Sequence, residues 1–177
     1  MASRQQTYAR AIHEIAFLSG RYFVGFDDSN HTRQAPGLPN HFAWNLGHLA
    51  YILHRCAEKF DGKPLPEGEF IVGGEPTGGG DARRFATKSV SMGSVPTASP
   101  KDYPGCARCV EIFNGAVERC ASAFEGASDA ALDADTAWGA ATIKGWQFGP
   151  RMVWHAGMHT GEIADLRRAL GMARLIG

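Results

Sequence analysis

The chain has 177 residues, 44% of them hydrophobic and 20% charged, which suits one soluble globular domain over 1–177 with a sizeable core. Eighteen Lys and Arg balance 18 Asp and Glu, and the basic pairs Arg83-Arg84 and Arg167-Arg168 are short and isolated, so a nucleic-acid partner is not expected. No apolar run reaches the roughly 18–20 residues of a membrane span, and the N-terminal MASRQQTYARAIHEIAF lacks the apolar core of a signal peptide; the expected location is cytoplasmic, with the four cysteines as thiols.

In chain order, helical periodicity comes in four blocks. The first covers about 3–25, with Tyr8, Ile12, Ile15, Leu18 or Ser19, and Tyr22 on one stripe, and Gly20 or Gly25 as its fraying point. A loop of turn formers, DDSNHTRQAPGLPN, leads to a second helix over about 40–60, with Asn40 as the expected N-cap. Its apolar face reads Phe42, Leu46, Leu49, Leu53, Cys56, Phe60.

Residues 61–102 are dense in Gly and Pro and show neither a helix of normal length nor strand alternation. A connection of that length is unusual in a compact domain and often functional. It is expected to cover one end of the helices, with a short helical turn near 81–88 and with Tyr103 packed beneath it.

The third helix is expected over about 104–125, with Pro104 in its first turn and Cys109, Phe113, Ala116 or Val117, Cys120 and Phe124 as its stripe. The Cys106–Cys109 pair has no second C-x-x-C and no preceding strand, so it reads as two helical cysteines in or near the core. After a connector over about 126–145, the fourth helix runs over about 147–171, with Gly171 as its C′ residue and Arg167 and Arg168 complementing the dipole of its last turns. Its inward stripe reads Met152, His155, His159, Ile163, Leu166, Leu170. The fold class is therefore all-α, a four-helix bundle with a long Gly/Pro-rich connection between helices 2 and 3, which need not be adjacent antiparallel neighbours.

Of the seven histidines, His13, His31, His41 and His54 show no local pairing that calls for a ligand role. His155 and His159 stand four apart on one helical face, where two imidazoles can converge on one ion. An isolated H-x-x-x-H is weak evidence, and residues 156–158 are Ala, Gly and Met, so the glutamate of zinc peptidases is missing. His48, near the middle of the second helix and bordering its apolar face, would complete a three-histidine site with positions open to water or substrate.

The stretches AWNLGHLA and HAGMHTGEIADLRRALG, with MGSVPTASPKDYPG before the third helix, resemble the DinB/YfiT-like superfamily of four-helix-bundle metalloenzymes over nearly the whole chain. The resemblance implies one divalent metal on His48, His155 and His159, and a three-histidine donor set suits zinc or nickel. It also implies activities that include thiol S-transfer with a low-molecular-weight thiol cosubstrate, and homodimers formed through helical faces. Relatives commonly carry Gly-Gln-Ile after the last histidine; here the run is Gly161-Glu162-Ile163. Glu162 is thus a candidate partner of a ligand, fourth ligand or base, or else a surface residue.

Around these ligands, Asn45 lies one turn before His48 and is either a partner of a ligand or substrate or a polar residue of the first turn. Trp44 either packs or stacks on substrate. Arg151, one turn before His155, either binds an anionic group or is solvated. The expected function is metal-dependent thiol S-transfer to a small electrophilic molecule. The alternatives are hydrolysis by a metal-activated water with Glu162 as base, and non-catalytic binding of a metal or ligand.

Overall fold

The computed structural model describes residues 2–75, 79 and 81–175. In chain order its helices are α1 (Arg4–Gly20), α2 (Phe42–Asp61), the short α3 (Thr87–Val90), α4 (Cys106–Glu125), the short α5 (Asp129–Asp133) and α6 (Phe148–Ala169). Strands β1 (Phe70–Ile71) and β2 (Phe85–Ala86) pair in parallel, and β3 (Asp135–Trp138) and β4 (Ala141–Lys144) form an antiparallel hairpin. The chain is mainly helical, and no helix among the described residues is long and apolar enough to cross a membrane.

The four long helices bury their apolar stripes against one another. α1 packs on α4 and α6, and α2 packs on the same two, so the cyclic order is α1–α4–α2–α6. The α2–α4 contact is the most extensive of all, despite the long connection between them. Phe42, Leu46, Leu49, Leu53 and Cys56 of α2 meet Cys109, Phe113, Val117, Cys120 and Phe124 of α4 in a continuous core. Burying such side chains contributes about 1.5–3 kcal/mol each before conformational entropy is offset.

Several expected boundaries move for local reasons. A capping box between Ser3 and Gln6 starts α1, which ends at Gly20 rather than continuing toward 25. In its last turn Ser19, not Leu18, faces inward, and its hydroxyl meets that of Thr160 on α6 at 2.7 Å. The N-cap of α2 is His41 rather than Asn40: the His41 Nδ1 accepts from the Trp44 N–H at 3.1 Å. α4 begins at Cys106 with Gly105 as its cap, leaving Pro104 outside the helix. Arg167 is buried and donates to the Tyr22, Val24 and Ala173 carbonyls, so it does more than complement the dipole of α6. Gly171 has φ +75°, the left-handed C′ conformation expected of it.

The four cysteines are buried. Burial above all pushes the Cys56 and Cys109 thiols well above the usual range and that of Cys106 to about 11, with Asp28 and Asp27 adding to the last. Thiols held protonated in this way are core residues rather than nucleophiles.

In its described residues the Gly/Pro-rich connection does not cap one end of the helices. It runs back along the flank of α2 as a strap. Glu69 accepts from His54 at 2.7 Å, and Phe85 and Val90 close over Gly47. Further on, Ser94 accepts from the Trp44 indole at 2.9 Å, and the Thr97 carbonyl accepts from His41 Nε2 at 2.9 Å. Its helical turn falls at Thr87–Val90, a few residues beyond the expected place. Arg119 of α4 pins the root of the strap through Asp61 and the Lys63 and Pro64 carbonyls.

His41 makes folding sensitive to acid. Burial pulls its pKa from 6.5 down to about 4, against the favourable Thr97 carbonyl. Between those values the unfolded chain binds a proton that the folded chain does not, so stability rises with pH across that window and falls on acidification. The expected slope from this group is up to about 1.4 kcal/mol per pH unit below pH 6.5. Urea midpoints measured from pH 7 to pH 4.5 should show it, with a shallower fall in His41→Asn.

Candidate metal centre

His48 projects from the middle of α2, and His155 and His159 project from consecutive turns of α6, where the two helices face each other. The His155 Nε2 lies 3.3 Å from that of His48 and 3.1 Å from that of His159. His48 and His159 are buried and His155 is half-buried.

The opposite nitrogens fix the chemistry of that meeting point. His48 Nδ1 donates to the Val90 carbonyl at 2.7 Å. His159 Nδ1 donates to Asn45 Oδ1 at 2.8 Å and faces Glu162 Oε2 at 3.0 Å. With their protons on Nδ1, both rings turn bare Nε2 lone pairs toward His155. At most one proton, on His155, can lie among the three atoms, so at least two lone pairs converge on one point. Burial first, then the neighbouring His159 and His48, lowers the His155 pKa to about 4; burial likewise lowers that of His48. Neutral imidazole is the form that ligates a metal.

This donor set fits a divalent cation. Bonds of about 2.0–2.1 Å at near-tetrahedral angles separate ligand nitrogens by about 3.3–3.4 Å, close to the 3.1 and 3.3 Å found here. Among the described residues these three side chains form the one group of histidine, cysteine or carboxylate donors able to hold an ion.

The remaining candidates divide between the back and the front of this centre. Asn45, fully buried, donates its amide to the His41 carbonyl at 3.2 Å, which turns its Oδ1 toward His159. Glu162 stands behind the same ring, and the Asn40 amide donates to it at 3.1 Å. Its hydrogen bond with His159 holds its carboxyl below the ordinary range, helped by Asn40 and opposed by burial. Trp44 is buried, and its ring stacks on His48 at 4.8 Å and 5°. It buttresses a ligand and does not line the open side. Arg151 does line it, exposed at the mouth.

That open side is a cleft of about 170 Å³ bounded by Ile52, Met92, Trp138, Met152 and Trp154, with His48 and His155 at its base. Trp138 reaches it from the β3–β4 hairpin, which packs on α6 through an edge-to-face contact with Phe148 at 5.1 Å. Nothing in the sequence signals Asn40, Val90 or Trp138 as part of the centre: Asn40 has the propensity of a helix cap, Val90 acts through its backbone carbonyl, and Trp138 comes from a connector.

The fold and site together define a mainly helical protein with a three-histidine centre of metal-binding type. A family model of the DinB superfamily matches residues 19–163, and the chain belongs to that superfamily. No curated protein and no solved structure shows significant similarity to it.

Proposed function

We propose that the protein is a metal-dependent enzyme whose four long helices form the DinB-type four-helix bundle. Its proposed reaction is transfer of a low-molecular-weight thiol to a small electrophile. The observation that supports this reading is the convergence of three Nε2 atoms at the base of an apolar cleft, with the Nδ1 of His48 and of His159 each tied to an acceptor.

His48, His155 and His159 would hold a divalent ion, with zinc or nickel suited to three imidazoles. When bound, such an ion favours the thiolate form of a thiol whose ordinary pKa is near 8.5, supplying a nucleophile at neutral pH. The protein's own part is positioning and exclusion of water. The Val90 carbonyl and Asn45 fix the His48 and His159 rings, and Glu162 stabilises the His159 Nδ1 proton from behind. Trp138, Met152 and Ile52 present apolar walls to the electrophile. In the reaction the sulfur forms a bond to the electrophilic carbon while the leaving group departs with its electron pair, and the thiol proton passes to solvent. Glu162 is a positioning residue in this account, because it faces the ring nitrogen turned away from the cleft.

We place the protein in the cytoplasm as a homodimer acting on a small molecule, without a nucleic-acid or membrane partner. A panel of thiols with monochlorobimane tests the reading. Metal-dependent release of chloride and formation of the fluorescent thioether with at least one thiol is expected. Failure with every thiol, alongside turnover of an ester or amide, would replace it with hydrolysis.

A further inference from the structure

The cleft above the three histidines does not end at its own rim. A second hollow of about 310 Å³ shares Ile52, Met92 and Trp138 with it and continues along α2 past Tyr51 to Arg55 and Lys59. At 1.5 Å rise per helical residue, Arg55 lies about 10 Å and Lys59 about 16 Å along the axis from His48.

The lining is one-sided in charge. Arg151 stands at the histidine end, and Arg55 and Lys59 stand at the far end; no Asp or Glu lines either hollow among the described residues. Glu58 pairs with Arg55 at 2.6 Å and offsets part of that charge, leaving the exposed Lys59 ammonium beside it. The chain as a whole is formally neutral, so this is a local excess. Between the two ends the walls are aromatic and aliphatic: Tyr51, Ile52, Met92 and Trp138.

We propose that the groove selects an elongated small molecule with an apolar body and a carboxylate, with the carboxylate at Arg55 and Lys59 and the opposite end over His48 and His155. This rests on the cleft being the substrate site of the proposed enzyme. Apolar burial along Ile52 and Trp138 supplies affinity, and the cations supply the choice of an acid over its neutral isostere.

Two probes that differ only in charge, 6-phenylhexanoate and 6-phenylhexanamide, test it by titration of the purified, metal-containing protein, followed by tryptophan fluorescence and amide NMR shifts. At low salt the acid is expected to bind about three- to five-fold tighter than the amide, a preference that shrinks as salt screens it. In the double variant Arg55→Gln/Lys59→Gln, with fold checked by circular dichroism, the acid should fall toward the amide while the amide is unchanged. Parity in the unaltered protein, absence of binding by both probes, or a preference unchanged in the double variant would overturn the proposal. His155→Ala, with its metal content measured in parallel, separates this from the metal reading: the charge preference should survive there even as the ion is lost.

Discussion

Asn45→Leu is expected to weaken metal binding by about 10–100-fold, the usual consequence of removing a group that orients a ligating histidine. Leucine keeps the γ-branched outline of this fully buried side chain but removes the acceptor at 2.8 Å from His159 Nδ1. The ring then relies on Glu162 alone, at 3.0 Å, and gains freedom to turn its Nε2 away from His155. The same change removes the Asn45 amide from the His41 carbonyl, which still accepts from the Asn45 backbone N–H at 3.0 Å, so the lost bond costs about 0.5–1.5 kcal/mol of stability. Glu162→Gln should do less, because a glutamine oxygen still accepts from the ring. Competition with a chromophoric chelator measures both affinities; an Asn45→Leu protein that binds metal as tightly as its parent would contradict the positioning role.

Gly47→Val should loosen the strap and the centre together. A Cβ on Gly47 would lie 2.6 and 2.7 Å from ring carbons of Phe85 and 2.8 Å from Val90 Cγ1. Both neighbours are fully buried, so neither can swing clear without moving the strap backbone. Glycine costs a helix interior about 1 kcal/mol relative to alanine, and here it is required by the close approach of the strap. Overpacking a filled core costs about 1–3 kcal/mol, visible as a lowered urea midpoint. Displacing Val90 also removes the carbonyl that holds His48 at 2.7 Å, so metal affinity should fall with stability. A stability loss with unchanged affinity would separate the strap from the site.

The long helices were legible because their stripes repeat at three and four residues over about five turns, long enough for periodicity to outweigh local exceptions. His155 and His159 were legible as a pair from spacing alone; His48 was legible as a third histidine bordering the apolar face of another helix, and the family resemblance strengthened its link to the pair, since no local pattern ties position 48 to 155. What stayed hidden was held by long-range contacts of irregular backbone. The Val90 carbonyl has no side-chain signature, and Gly and Pro in 61–102 announce a loop without saying where it lies. Asn40 illustrates a conflict between levels: propensity favours it as a cap, yet the helix is capped by His41, leaving the Asn40 amide to hold Glu162. Glu162 itself gained definition from its place behind His159 rather than from its identity.

Whether His48, His155 and His159 hold one metal ion is decided by elemental analysis of protein purified without a polyhistidine tag. About one divalent ion per chain is expected, lost in His155→Ala and in His159→Ala proteins whose circular dichroism shows intact helices. A parent protein that holds no metal even after incubation with zinc or nickel, or variants that retain the parent's metal content, would contradict it.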